Sequence, residues 1–343
     1  LNWVLQLLKP LNPGKLPNEI LDNFLRQFEF SDPSVLVSSG IGDDTAAVDV
    51  SNEQILVLKS DPITFATDAI SQYAVLVNAN DIVTAGAVPR WFLTTLLFPP
   101  STTALTVRRV MEELFQTCKN WGITLCGGHT EITDAVTRPI VTGMMAGSVR
   151  RTDLIEKKNM RPGNKILLTK SIAVEGTAII AREFSKRLLK LGLTEAEISS
   201  GQSFLSQISI LPEARLACKI KAATAIHDVT EGGLATAIEE LSIAGGHCLK
   251  IDMDEIPVFP LTQKISDLLG IDPFGLIGSG SLLICCKENV CADLMRALYK
   301  NNINVACIGE VAEPGKGIKA YRNGSKVTWP HFKVDEITRL FGD

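Results

Sequence analysis

What this sequence lacks narrows its identity before any motif is read. Its 343 residues contain no apolar run of the roughly 18 residues that a membrane-spanning helix needs. Its 8 cysteines form no C-x-x-C pair, so neither a zinc ribbon nor a dithiol redox motif is indicated. Cys285 and Cys286 are adjacent, and the other six, Cys118, Cys126, Cys218, Cys248, Cys291 and Cys307, are scattered, which suits buried apolar thiols in a reducing cytoplasm better than a disulfide framework. Leu1 to Leu8 carries no small-residue cleavage site and reads poorly as a signal peptide, so a cytoplasmic location is expected. There is no excess of positive charge: 34 Lys and Arg face 38 Asp and Glu, which gives no support to a nucleic-acid binder that works by neutralising phosphates. A Walker A loop, a Gly-x-Gly-x-x-Gly fingerprint and a Gly-x-Ser-x-Gly elbow are all missing.

What is present is a large apolar fraction, 45% against 21% charged, enough for a sizeable core. The length favours two domains. Residues 1–34 read as an arm broken by Pro10, Pro13 and Pro17, with a helix capped by Asn18 and carrying Ile20, Leu21, Phe24, Leu25 and Phe28 at helical spacing. Strand signals follow at Val35 to Val37, Ile55 to Leu58, Trp91 to Phe98, Ile123 to Cys126 and Ile140 to Val149, with helices at Ser71 to Ala87 and Thr106 to Trp121. The polar stretch Asp153 to Arg161 and the turn Arg161-Pro162-Gly163-Asn164 mark a boundary. We therefore divide the chain into an arm (1–34), a first domain (35–155) and a second domain (160–343). In the second, strands are expected at Lys165 to Thr169, Ala222 to Ile226, Ser281 to Cys285 and Val305 to Gly309. Helices are expected at Gly176 to Leu189, Pro212 to Lys219, Leu234 to Ala244 and Val290 to Asn301. Both halves mix strands with covering helices, so the class is α+β or α/β.

Five short motifs carry chemistry. Gly40-Ile41-Gly42-Asp43-Asp44 lies between strand signals; its paired carboxylates suit Mg²⁺, which takes hard oxygen ligands, although the same residues also make an ordinary hairpin turn. Asp61 closes the apolar run Ile55 to Leu58, where a carboxylate either collects a ligand or simply ends a strand. Asn78, Asn80 and Asp81 interrupt an otherwise apolar helix, and Asn78 and Asp81, three apart, share one face. Such residues need partners, because an unpaired buried polar group costs roughly 1–3 kcal/mol. Gly127-Gly128-His129-Thr130-Glu131 reads as a Gly-rich loop after a strand. His227-Asp228-Val229-Thr230-Glu231-Gly232-Gly233 reads as a loop before a helix, where backbone N–H groups cradle phosphate or where Thr230 or Asp228 merely caps.

In this order the five motifs resemble the AIR synthase (PurM-like) superfamily, over most of the chain from about Gly14 to Gly309, and the HypE-like, AIR synthase-related branch most closely. The resemblance implies a first α+β domain that pairs across a homodimer axis and a second α/β domain beside it. It further implies ATP in the cleft between them, bridged by Mg²⁺ to acidic residues. On that basis Gly42, Asp43, Asp44, Asp61, Asn78, Asn80, Asp81, Gly127, Gly128, Thr130, Asp228, Gly232 and Gly233 are the candidate nucleotide-site residues. Asp43, Asp44, Asp61, Asp81 and Glu131 are the candidate metal ligands, Glu131 standing in for the acid the family carries at the position of His129. His129 and His227 are candidate proton carriers. The sequence given ends Arg339-Leu340-Phe341-Gly342-Asp343 without a terminal cysteine, and no cysteine precedes Cys118, so neither HypE nor selenophosphate synthetase chemistry is expected. The implied activity is Mg²⁺- and ATP-dependent activation or phosphorylation of an oxygen on a small-molecule or protein-bound acceptor, in a ligase, dehydratase or kinase. The alternatives are a nucleotide-binding regulatory or maturation partner without turnover, and a metal-dependent hydrolase using the His and Asp pairs. No nucleic-acid or membrane partner is expected.

Overall fold

Two β-sheets organise the chain, one on each side of the polar linker at residues 151–164. The computed structural model describes residues 18–20, 33–37, 40–51 and 53–341. The predicted arm helix falls almost wholly outside them; residues 18–20 are helical.

The first sheet contains β1 (Val35–Val37), β2 (Ala46–Asp49), β3 (Gln54–Ile63), β4 (Val88–Phe98), β5 (Thr124–Ile132) and β6 (Ile140–Arg150), in the order β1-β2-β3-β6-β4-β5. Neighbours run antiparallel except β4 and β5, which are parallel. Alternation along β4 sends Phe92, Thr94, Leu96 and Phe98 into the core and leaves Trp91 and Leu93 on an open face. The covered face lies under α1 (Ile70–Thr84) and α2 (Ala104–Trp121). Helix α1 is apolar round its whole circumference because it is buried on every side, packing on β3 and β6 and also against the second half.

The second sheet contains β7 (Lys165–Thr169), β8 (Ala223–Asp228), β9 (His247–Asp252), β10 (Leu282–Cys286), β11 (Val305–Pro314), β12 (Ile318–Arg322) and β13 (Ser325–Val327), in the order β13-β12-β9-β11-β7-β10-β8. Its helices are α3 (Val174–Glu183), α4 (Ser185–Lys190), α5 (Glu195–Ser203), α6 (Leu211–Lys219), α7 (Gly233–Gly245), α8 (Pro260–Leu269), α9 (Glu288–Lys300) and α10 (Thr338–Phe341). Both faces of this sheet are covered. Leu167 enters the large core shared with the first half, while Ile166 and Leu168 enter a second core under α7. Continuous apolar strands such as Leu282–Cys286 are the result.

Three local expectations change. Strand β3 does not stop at Leu58 but runs to Ile63, so Asp61 lies within a strand instead of at its end. The expected loop at Gly127 to Glu131 is part of edge strand β5, paired in parallel with β4. Glycine is needed there because a Cβ on Gly128 would overlap the Thr94 carbonyl. His227 and Asp228 end strand β8 instead of opening a loop.

Candidate functional site

The acidic residues converge where β3, α1, β8 and the Gly40–Asp44 turn meet. Residues two apart on a strand share a face, so Lys59 and Asp61 both point from β3 towards α1. From α1, Asp81 answers: its Oδ2 lies 3.3 Å from Lys59 Nζ, and the same ammonium is 3.5 Å from Asp61. One turn earlier, Asn78 donates to the Asp61 carbonyl at 3.2 Å and to the Ala74 carbonyl at 2.9 Å, while its Oδ1 accepts nothing. Asp44 receives Lys157 Nζ from the linker at 2.7 Å and lies 3.0 Å from His227 Nδ1. The other ring nitrogen of His227 lies 3.4 Å from Glu240 of α7. Oxygens of Asp44 and Asp228 and a nitrogen of His227 fall within 4.8 Å of one another.

Charge in this cluster is unevenly compensated. Burial raises the pKa of Asp44, but the nearby charges and hydrogen bonds of His227 and Lys157 outweigh it and hold the carboxyl well below the ordinary range. Burial would lower His227; its pairing with Asp44 instead brings it up to about 9, so the ring is a cation. Burial pushes Asp81 well above the usual carboxylate value, and the neighbouring Asp228, Asp61 and Asp44 add to the rise against Lys59. Asp228 is likewise pushed up to about 6 by burial and by Asp44, and its Oδ2 accepts no hydrogen bond. Desolvated carboxylates with too few cations among them, one carrying an orphaned oxygen, form a hard-oxygen donor set that fits a divalent cation.

Other candidates lie elsewhere. Asn80 faces the second half and is spent on its backbone, donating to the Ile208 carbonyl at 2.9 Å and accepting from the Ile210 N–H at 3.0 Å. Gly42 has φ +79°, and a Cβ there would overlap the Glu240 carbonyl, so its glycine serves close packing of the turn on α7. Asp43, beside Asp44, is exposed, and burial of its surroundings raises its pKa. The register row Asp61, Gly143, Thr94, Gly128 crosses β3, β6, β4 and β5. Three strand spacings, about 14 Å, therefore separate Gly128 from Asp61. Gly127 and Thr130 belong to the same distant edge strand, and His129 and Glu131, 3.4 Å apart and mostly exposed, point to the sheet's open face. Within one chain, none of these five joins the acid cluster.

The expected phosphate cradle before α7 is already filled. Gly232 N–H donates to Asp335 Oδ2 at 2.6 Å and Gly233 N–H to the Thr230 carbonyl at 3.0 Å. His227, 1% exposed, offers no open ring face and positions Asp44. Sequence reasoning missed Lys59, Lys157, Glu240, Glu175 and Asp335. Only Lys59 left a signal, its spacing of two from Asp61 on a strand; the others reach the site through tertiary packing.

Two family models together match most of the chain: AIR synthase related protein, N-terminal domain, at residues 42–149, and AIR synthase related protein, C-terminal domain, at residues 161–321. A putative hydrogenase expression/formation protein of Methanocaldococcus jannaschii is 26% identical, spanning 89% of this chain and 90% of that protein. Carbamoyl dehydratase HypE of Cupriavidus necator is 26% identical over 80% and 78% of the two chains. Selenide, water dikinase of a Shewanella species is 27% identical over 83% and 86%. Among solved structures, Escherichia coli HypE superposes with a TM-score of 0.72 at 22% identity, covering 93% of this chain and 99% of that one. HypE in complex with ATP superposes with a TM-score of 0.70 at 19% identity, over 95% and 98%. With two matched domains in the family's order and the two-sheet architecture of these neighbours, the chain belongs to the AIR synthase related family and has its PurM-like two-domain fold.

Proposed function

We propose that this chain is a Mg²⁺-dependent, ATP-using enzyme that activates or phosphorylates an oxygen on a small-molecule or protein-bound acceptor, acting as a homodimer in the cytoplasm. The observation that carries this reading is the carboxylate cluster at the junction of the two halves, in which buried Asp81 and Asp228 have too few cations around them and Asp44 and the half-exposed Asp61 complete the set of oxygens. A related fold holding ATP supports the choice of nucleotide. These four residues would hold Mg²⁺, which when bound offsets the charge of the transferring phosphoryl group. Lys59 and Lys157 set the geometry: each ties a carboxylate of one segment to another segment, Lys59 joining β3 to α1 and Lys157 joining the linker to the Gly40–Asp44 turn. His227 keeps Asp44 ionised and oriented from behind.

The hydrolase alternative is weaker on geometry. His227 has both nitrogens directed at carboxylates, and His129 lies on the far edge of the first sheet, so the two histidines do not share a centre. The open sheet face bearing His129 and Glu131 also exposes Trp91, Leu93 and Met144, which supports a role in pairing with a second copy.

Asp228→Asn tests the site. The substitution should weaken Mg-ATP binding by about 1.5–3 kcal/mol, ten- to a hundredfold, while the nucleotide-free protein melts no lower than the parent, because a desolvated negative charge has been removed. Unchanged nucleotide affinity measured by calorimetry would remove Asp228 from the site. ADP release with candidate acceptors separates an enzyme from a regulatory binder.

A further inference from the structure

A cavity of about 560 Å³ lies where the linker and the end of α6 meet the start of β3, the start of β4 and the end of β6. It is separate from the acid cluster, since none of Asp44, Asp61, Asp81 and Asp228 lines it. Both halves contribute cations: Arg90 and Arg150 from the first, Lys219 and Lys221 from the second. Asp153 is the one carboxylate among the described lining residues, and Arg150 already holds it through Nε at 2.7 Å. Among the described residues, Arg90, Lys219 and Lys221 pair with no acid. Arg90 lies over the Trp91 ring, 5.8 Å from its centroid, which steadies the guanidinium and leaves the N–H groups at its edge for another partner. Lys221 follows α6 with a left-handed φ of 51°, its backbone N–H donating to the Cys218 carbonyl at 3.0 Å. The hydroxyl-bearing Ser148 and Thr152 complete the polar part of the lining.

We propose that this cavity binds a small molecule bearing phosphate groups, held by Arg90, Lys219 and Lys221 without a metal ion. Three uncompensated cations repel one another, and a protein surface ordinarily intersperses the two signs. This chain carries 38 acidic against 34 basic residues, so a cavity with three free cations and one engaged acid departs from its balance. A bound polyanion removes that repulsion. Arginine presents a planar fork of N–H donors that fits phosphate oxygens, and the two lysines add point charges. The volume falls within the range of roughly 300–1,000 Å³ found for small-molecule sites. Because the lining comes from both halves and from the linker, the occupant ties the three together. The site stands independently of the ATP-using reading, which places its nucleotide on carboxylates through a divalent cation.

Calorimetry with inorganic pyrophosphate tests the site, on the full chain in metal-free buffer at pH 7.5. Without a divalent cation the acid cluster repels this probe, and constant ionic strength keeps general screening the same throughout. Pyrophosphate should bind the parent protein with submillimolar affinity and raise its melting temperature. With labelled isoleucine methyl groups it should also shift the signal of Ile155, which lines the cavity. The double variant Lys219→Gln, Lys221→Gln alters two exposed side chains and should lose at least tenfold in affinity. Lys190→Gln, exposed on α4 and outside the cavity, should bind as the parent does. Absence of pyrophosphate binding to the parent overturns the proposal and needs no variant to fold. Equal affinity in the parent and the folded double variant overturns it too, as does an equal loss in Lys190→Gln, which would mean attraction to the surface at large.

Discussion

Glu175 shows how one buried side chain makes stability depend on pH. Burial raises its pKa from 4.5 to about 7, so the folded chain binds this proton more tightly than the unfolded chain does. Stability from this group is therefore complete below about pH 4.5 and is lost as pH rises through 7; the shift corresponds to at most about 3 kcal/mol. Glu175→Gln keeps an oxygen for the Ser279 N–H and carries no charge. Chemical denaturation should find the variant more stable than the parent at pH 8, with the difference shrinking to nothing by pH 4.5. Parallel curves at both pH values would show that the carboxyl titrates normally in the fold. Asp228 follows the same logic at a group assigned to the metal site, which is why loss of nucleotide affinity is expected there without loss of stability.

Helix α1 joins the two halves, and its polar residues divide the labour by face. Asn78 and Asp81 look towards β3, whereas Asn80 fixes the backbone at Ile208 and Ile210 before α6. Asn80→Ala orphans the buried Ile210 N–H and should cost about 1–3 kcal/mol. The melting temperature should fall while Mg-ATP affinity per folded molecule stays the same; a selective loss of affinity would return Asn80 to the nucleotide site. This helix also shows what could be read from sequence. The spacing of three between Asn78 and Asp81 put them on one face, and the absence of a polar stripe placed the helix in the interior. The opposite role of Asn80 could not be read, because its partners lie about 130 positions away. Elsewhere, Gly-Gly at 127–128 suggested a loop because glycine disfavours strands in general; only the pressing carbonyl of Thr94 explains why this edge strand requires it. The glycines at 232–233 suggested a phosphate cradle, and nothing local revealed that Asp335, a hundred residues on, fills it. Strands β9, β12 and β13 and helices α5, α8 and α10 were not anticipated, α5 standing where a loop was expected. Several lie where apolar and polar residues alternate too briefly for either period to stand out.

At the scale of the whole molecule, the described residues leave one face of the first sheet uncovered, carrying Trp91, Leu93 and Met144 with His129 and Glu131 at its edge. Covering that face with a second copy would bury this apolar patch. Light scattering at micromolar concentration should give the mass of two chains, and Met144→Lys, in register with Leu93 at the centre of the face, should give the mass of one. A parent protein that stays monomeric would contradict the pairing. The central claim is that the buried carboxylates at the junction of the halves bind ATP through a divalent cation. Calorimetry of ATP binding, with Mg²⁺ and then with EDTA, tests it most directly. Binding that is strong with Mg²⁺ and falls at least tenfold when the cation is removed is the predicted result; equal affinity in both conditions, or no binding in either, would contradict it.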